Sequence, residues 1–458
     1  MKKSFICFAA ALLCLAGCNS SSDPIKVKTP ARPAGQEDVI GLTAEPIENV
    51  RIGFIGLGSR GQGAIYRYAY MPNATIAALC DVENANVEAA AAIVAGHGLQ
   101  KPDLYAGDEE VWKQVCERDD IDLIYICTDW KSHTPIALYA MEHGKHVAIE
   151  VPAAHTLDEI WALVNTSERT RKHCMMLENC CYDFFELSTL AMAQAGVFGE
   201  VIHAEGAYLH NLDPFWDQYW HSWRLDFNQK MRGDVYPTHG FGPVCQVLDI
   251  HRGDKLDYLV AVDTDPINGP RQVERKTGEP CSEFANGDQT CTMIRTHKGK
   301  TVLIEHNVMT PRPYSRMYQV VGTDGYAGKY PVEQYCLREI EPSKAAYDQL
   351  GTERIYGGNQ LAELQSKYPN PILTPELEAL AKKVGGHGGM DFIMDYRLIY
   401  CLNHGLPLDM DVYDMAEWCS VSALSAISLE NGSRPVEVPD FTRGAWDRLP
   451  GFSYAFAK

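Results

Sequence analysis

The order of apolar runs and chain breaks predicts an α/β fold in two parts, an N-terminal doubly wound parallel sheet followed by an α+β domain with a mostly antiparallel sheet. Three observations predict it. A β-rich run at Val50 stops at a glycine turn that passes into a helix; strands and helices then alternate to about Cys174; beyond Leu177, strands follow one another without long helices between them. The turn reads Gly56-Leu57-Gly58-Ser59-Arg60-Gly61. In a strand, turn, helix order, the first glycine permits the tight turn, the second lets backbone approach a pyrophosphate, and the third lets the helix pack on the strand. The helix N-terminus adds N–H donors. The next apolar run, Ala74 to Cys80, ends in Asp81, 20 residues past Gly61. A carboxylate there accepts hydrogen bonds from a ribose diol and repels a 2′-phosphate, which favours NAD over NADP. The expectation is a Rossmann NAD-binding domain over residues 49–175.

The chain opens with Lys2 and Lys3, then an apolar run from Phe5 to Ala16, then Gly17-Cys18. That run is too short to span a bilayer as a helix and suits an export signal. Leu15-Ala16-Gly17-Cys18 resembles a bacterial lipobox, in which the cysteine becomes the acylated first residue; an ordinary cleaved signal is the other reading. Residues 1–18 are therefore expected to be a lipoprotein-type signal peptide. Residues 19–48, rich in Ser, Pro and Thr, are expected to form a flexible tether. The protein is then exported and held at a membrane through a lipidated Cys18, on the periplasmic side or at the cell surface.

With 458 residues and 46% hydrophobic content, the chain can bury large cores and accommodate two domains. A net charge of −19 argues against nucleic acid and against a polybasic membrane surface. Of 15 cysteines, Cys7, Cys14 and Cys18 lie in the leader, and the others lack paired Cys-x-x-Cys spacing. No metal site is expected, and buried free thiols are the plainer reading. A homo-oligomer is compatible with this composition.

Within the first domain, Asn84 to Ala95 reads as a helix, Glu109 to Glu117 as a short helix, and Asp122 to Thr128 as a strand buried on both faces. Trp130-Lys131-Ser132-His133 opens the next helix, which Gly144 stops, and His146 to Glu150 is again a strand. Ligands of an open parallel sheet sit beyond the carboxyl ends of its strands, so Trp130 to His133 and Glu150-Val151-Pro152 fall at the cofactor mouth. Trp130 and His133 also admit a packing and capping reading. Residues 176–458 are expected to form the second domain. Its strands are read at Glu200 to Asn211, Leu256 to Asp263, Gln289 to Thr296, Thr301 to Asn307 and Met317 to Gly322. The aromatic stretch Phe215 to Arg224 suits sugar stacking or core packing equally. Met390 to Asn403 and Val412 to Leu429 read as helices that pack back on the rest.

The glycine loop, Asp81, a Glu-x-Pro after the fifth strand and the following antiparallel domain resemble the glucose-fructose oxidoreductase, inositol dehydrogenase and rhizopine catabolism superfamily. Typical members read Glu-Lys-Pro, and their lysine helps move protons near the nicotinamide. Here Glu150-Val151-Pro152 replaces it, and valine transfers no proton. Together with Trp130 to His133, Glu178-Asn179, Gly233 to Gly240 and His387-Gly388-Gly389-Met390-Asp391, this resembles glycoside hydrolase family 109, the bacterial NAD-dependent α-N-acetylgalactosaminidases. The resemblance implies removal of a terminal sugar from a glycan or glycoconjugate by transient oxidation at C3, elimination, addition of water and re-reduction. A net sugar dehydrogenase and a non-catalytic sugar-binding lipoprotein are the alternatives.

By the same carry-over, Gly56, Gly58, Ser59, Arg60, Gly61, Asp81, Trp130, Lys131, Ser132, His133, Glu150, Val151, Asn179 and Arg224 would hold NAD. His239 would be the base at the C3 hydroxyl, Tyr236 would assist it, and Tyr182 would transfer the C2 proton. Tyr208, Tyr236, Pro237, Thr238, His239 and Tyr318 would contact the sugar.

Overall fold

A computed structural model describes residues 23–338 and 353–457. The expected signal and Cys18 lie outside them. A six-stranded sheet comprises β1 (Val50–Ile55), β2 (Ala74–Asp81), β3 (Asp103–Ala106), β4 (Leu123–Ile126), β5 (His146–Ile149) and β6 (Cys174–Met176), in the order 3-2-1-4-5-6. Every neighbouring pair is parallel. The order reverses between β1 and β4, which opens a crevice at their carboxyl ends. Helices α1 (Ser59–Tyr68), α2 (Asn84–Gly96), α3 (Trp112–Cys116), α4 (Trp130–Glu142) and α5 (Leu157–Thr170) connect the strands. All four residues of β4 are buried, as befits a strand covered on both faces.

The second sheet has nine strands: β7 (Val201–Leu209), β8 (Leu256–Asp263), β9 (Thr290–Thr296), β10 (Thr301–Asn307), β11 (Gln319–Gly322), β12 (Gly325–Gly328), β13 (Gln334–Arg338), β14 (Glu353–Gly357) and β15 (Val436–Glu437). They lie in the order 14-13-12-11-7-10-9-8-15, and the central pair β7 and β10 runs parallel while the others are antiparallel. Its helices are α6 (Phe184–Gln194), α7 (Trp223–Lys230), α8 (Thr238–Val247), α9 (Asn268–Thr277), α10 (Asn359–Gln365), α11 (Pro375–Val384), α12 (Met390–His404) and α13 (Val412–Glu430). Helix α8 lies directly on β7, because Gly206 and Gly240 face each other and a Cβ on either would fall on the other's backbone. That approach sets the N-terminus of α8 beside Tyr208. Helix α13 rests on β8 and against α5 and β6, so it joins the two halves.

The stretch predicted as a flexible tether differs from Ile25 onward, where the chain is laid along the body. Ile25 bridges Val436, Arg32 pairs with Glu168 at 3.1 Å, and Val39 and Leu42 are buried. The Val39 N–H donates to the Tyr413 hydroxyl at 3.1 Å. The composition disfavours regular structure, and the segment forms none, yet its few anchors find partners far along the chain. Among the described residues no helix is long and apolar enough to cross a membrane.

Candidate active site

Gly56 ends β1 with φ at +89°, and a Cβ there would fall on the backbone of Cys127 just past β4. A Cβ on Gly61 would meet the Gly56 carbonyl. Gly58, at the N-cap of α1, faces open space, and no side chain caps the helix. Its first-turn N–H groups are left for an anion. Asp81 ends β2, and its Oδ2 accepts the Leu57 N–H at 2.6 Å while Oδ1 accepts the Glu83 N–H at 2.8 Å. Oδ1 also accepts Asn86 Nδ2 at 3.2 Å, so Oδ2 is the oxygen with a second lone pair free for a ribose hydroxyl. This cradle fits a dinucleotide whose pyrophosphate lies over α1.

Ser59 is exposed on the first turn, and Arg60 reaches across the crevice. Arg60 Nε donates to Glu150 Oε1 at 2.6 Å and Nη1 to Asp391 Oδ2 at 2.7 Å. Burial opposes the guanidinium charge, but Glu150 and Asp391 outweigh it and raise its pKa. Asp391 also accepts Asn179 Nδ2 at 2.5 Å and lies 3.0 Å from His387 Nδ1. Burial pushes the Asp391 carboxyl up, yet Arg60, His387 and Arg67 hold it well below the usual range. One carboxylate thus ties the glycine loop to the start of α12 and to the turn after β6.

Trp130 Nε1 donates to the Val151 carbonyl at 3.2 Å, and Val151 is buried. The His133 ring lies 2.9 Å from the Pro152 carbonyl and 3.1 Å from that of Thr128, and burial lowers its pKa. Ser132 donates its N–H to Asp129, the N-cap of α4, and Lys131 pairs with Asp226 at 3.1 Å near the surface. Ser132 and His133 therefore shape the turn into α4. The Arg224 guanidinium sits 5.0 to 5.7 Å from the ring centroids of Trp223, Tyr219, Trp130 and Tyr236.

On the sugar side, β7 contributes Tyr208, and the entry to α8 contributes Tyr236, Pro237, Thr238 and His239. Tyr208 and Tyr236 pack with ring centroids 4.4 Å apart and planes tilted by 33°. Tyr236 Oη is 3.3 Å from His239 Nε2, and His239 Nδ1 is 2.7 Å from Glu178 Oε1. The Glu178 side chain is wholly buried, whereas His239 keeps 15% of its surface. Burial pushes the Glu178 carboxyl up, but His239, with Thr238 and the Cys180 N–H, brings it below the ordinary value. Burial drives the Tyr236 hydroxyl well up, with Arg224 opposing, so it stays a phenol. A buried carboxylate, an imidazole and a phenol in series make a proton relay.

Several site residues expected from the sequence lie elsewhere. Tyr182 is buried with its hydroxyl on Asp409 at 3.1 Å, and Asp409 is held by Arg397, so Tyr182 belongs to an interior ion-pair cluster rather than to the C2 position. Tyr318 is buried against Phe185 on α6, away from Tyr208 and His239, because it points into the core between sheet and helix. The tyrosine that does flank the site is Tyr314, 43% exposed and 5.0 Å from the His210 ring. The Thr238 hydroxyl is buried beside Glu178, and Pro237 is the buried N-cap of α8, so neither is open to a sugar. Reasoning from the sequence also passed over His210, whose Nδ1 is 2.9 Å from the Tyr208 hydroxyl. Burial, His239, Arg224 and His387 lower its pKa to about 4, so it is neutral. In the aromatic stretch, Trp216 and Trp220 are core, while Phe215 and Tyr219 are half-buried, Phe215 5.3 Å from His210.

Glu178, Cys180 and His239 place one donor atom each within 4.8 Å of one another. Burial pushes the Cys180 thiol well up, and metals take the thiolate, so the trio suits proton transfer better than a metal. A cavity of about 350 Å³ lined by Asp249, Arg252, Lys298 and Trp446 contains none of these groups.

Residues 50–178 match an oxidoreductase family with an NAD-binding Rossmann fold, and residues 182–448 match the C-terminal domain of glycosyl hydrolase 109. The chain is 62% identical over 440 residues to glycosyl hydrolase family 109 protein 1 of Bacteroides thetaiotaomicron, covering 95% of this chain and 94% of that protein. It is 60% identical over 445 residues to a family 109 protein of Porphyromonas gingivalis, covering 96% and 94%. In fold it is similar to a levoglucosan dehydrogenase solved with NADH and L-sorbose, with a TM-score of 0.64 at 18% identity, over 86% of this chain and 100% of that one.

Proposed function

The chain belongs to glycosyl hydrolase family 109, and on that premise we propose that it removes a terminal α-N-acetylgalactosamine, or a related sugar, from a glycan or glycoconjugate by transient oxidation at C3. It is an enzyme, an NAD-dependent glycoside hydrolase. The observation that carries the finer reading is the Glu178, His239, Tyr236 relay beside the cofactor cradle, with apolar Val151 where the larger superfamily keeps a lysine. Bound NAD supplies a reversible two-electron acceptor at a sugar carbon, so the cycle closes without a second redox substrate.

The side chains divide the remaining work. The proton of the C3 hydroxyl passes to Tyr236 Oη as the phenol gives its own to His239 Nε2, so His239 is the base at the end of the relay. Tyr208, fixed by His210, and the exposed Tyr314 bound the sugar. His387 is a second imidazole on a carboxylate, with 61% of its side chain exposed, and would protonate the departing C1 oxygen. We also propose export and anchoring through Cys18, from the pattern of residues 1–18.

Hydrolysis in heavy water tests the mechanism. Elimination loses the C2 proton to a base and water addition replaces it, so the released sugar should carry deuterium at C2 and keep protium at C3, as read by proton NMR and mass spectrometry. Protium at C2 would mean direct displacement. Accumulation of reduced nicotinamide with an oxidised sugar would select a net dehydrogenase.

A further inference from the structure

We infer that Glu178 is a positioning residue that fixes which nitrogen of His239 is basic. The inference rests on His239 as the base of the proposed reaction. A neutral imidazole carries one N–H, and an ionised carboxylate only accepts. With Glu178 Oε1 at 2.7 Å from Nδ1, the hydrogen resides on Nδ1, and the Nε2 lone pair faces the Tyr236 hydroxyl and the open side of the site.

The surroundings make this a dedicated arrangement. Glu178 is wholly buried, and His239 is its one ion-pair partner among the described residues. Burying a carboxylate without an arginine or lysine is costly, and the cost is offset when the partner imidazole gains a proton. The thiol, phenols and second imidazole around His239 stay neutral. Burial pushes up the Cys180 thiol and the Tyr208 and Tyr236 phenols, and it lowers His210 to about 4. Glu178 is therefore the charge in contact with the imidazole that can stabilise its protonated form, while holding the ring to one tautomer.

Glu178→Gln keeps the shape, but its amide can turn its NH₂ toward Nδ1, which forces the hydrogen onto Nε2 and leaves no base facing the sugar. The test uses the full chain with its NAD, labelled with nitrogen-15 at histidine, with the His239 signals identified by their loss in His239→Asn. Wild type should show hydrogen on Nδ1 and the Gln variant hydrogen on Nε2. On an aryl α-N-acetylgalactosaminide, kcat should fall ~10²- to 10⁴-fold in the Gln variant, with NAD content and KM little changed. Glu178→Asp should return the hydrogen to Nδ1 and recover at least about tenfold of that loss. Hydrogen on Nδ1 in the Gln variant would overturn the inference, as would loss of NAD and turnover together without rescue by Asp. Should the Gln variant not fold, hydrogen on Nε2 of His239 in wild type would overturn it. If wild type hydrolyses no glycoside, the functional reading fails, and the tautomer measurement still decides the role of Glu178.

Discussion

Two histidines face the crevice with Nδ1 on a buried carboxylate, and the two carboxylates are used differently. Glu178 has His239 as its one ion-pair partner among the described residues, in an enclosed setting. Asp391 is shared by His387, Arg60, Arg67 and Asn179, and its histidine projects from a run of five residues, Gly385 to Gly389, all with positive φ. A dedicated carboxylate acts on one ring; a shared one, already neutralised by arginines, acts as a joint between the cofactor loop and the second domain. Similar hydrogen bonds, 2.7 and 3.0 Å long, therefore involve a carboxylate given to one ring in the first place and a carboxylate shared with the glycine loop in the other.

The largest expected effect is on the dedicated side. His239→Ala should bind NAD as wild type does and lose ~10²- to 10⁴-fold in turnover, the usual range for a missing general base. Single-turnover assays with bound NAD measured by absorbance check both halves. A variant that sheds NAD would erase the contrast, because His239 would then also be part of the joint. On the shared side, Asp391→Asn should behave the opposite way. It leaves Arg60 and Arg67 undercompensated in a buried network, a loss of about 3–5 kcal/mol by analogy with broken buried pairs. Thermal melting and retained NAD report it, and a variant that melts like wild type would refute the joint.

The same division explains what the sequence made legible. The cofactor half is built from consecutive strand ends, so the glycine loop, Asp81 and the turn at Trp130 stand at fixed offsets from apolar runs that period and composition reveal. The sugar half depends on long-range closure. Glu178 and His239 are 61 residues apart, and Asn179 and Asp391 are 212 apart. The motifs that contain them were visible, but no local rule says that one residue's carboxylate finds the other's ring. Tyr318 and Tyr314 illustrate the limit. They are four residues apart, just before β11, and the backbone turns through positive φ at Met317 and Tyr318, so alternation along a strand does not tell which one faces the site. Ile25 to Glu48 misled for a related reason, since burial of Val39 and Leu42 depends on partners supplied by the folded body.

A smaller effect belongs to Asp81, which touches only the cofactor side. Asp81→Ala removes a charged acceptor for the ribose diol, one backbone hydrogen bond that braces the glycine loop and one in the turn into α2. A loss of about 1.5–3 kcal/mol, roughly tenfold to 150-fold in Kd for NAD, should follow, with kcat at saturating NAD nearly unchanged. Calorimetry decides it, and an unchanged Kd would remove Asp81 from the cofactor site.

The smallest effect sharpens the contrast between a buried carboxylate with a partner and one without. Asp234, two residues before Tyr236, is wholly buried with no side-chain partner, and burial pushes it up to about 7 against a slight opposing effect of the Tyr236 backbone. For Glu178 the folded value lies below the ordinary one, so its contribution to stability is present above about pH 4 and is lost as pH falls through the folded value. Asp234 has the reverse sign. Between about pH 4 and 7 the folded chain keeps a proton that the unfolded chain releases, so stability declines as pH rises through that window and levels off above it. Asp234→Asn should abolish the decline. The variant should match wild type near pH 4 and exceed it at pH 8 by about 1–3 kcal/mol, the scale of a buried polar group without a partner. Denaturant unfolding at the two pH values measures the difference. A variant no more stable than wild type at pH 8 would mean that Asp234 is ionised and compensated in the folded chain, and the distinction between the two carboxylates would fail.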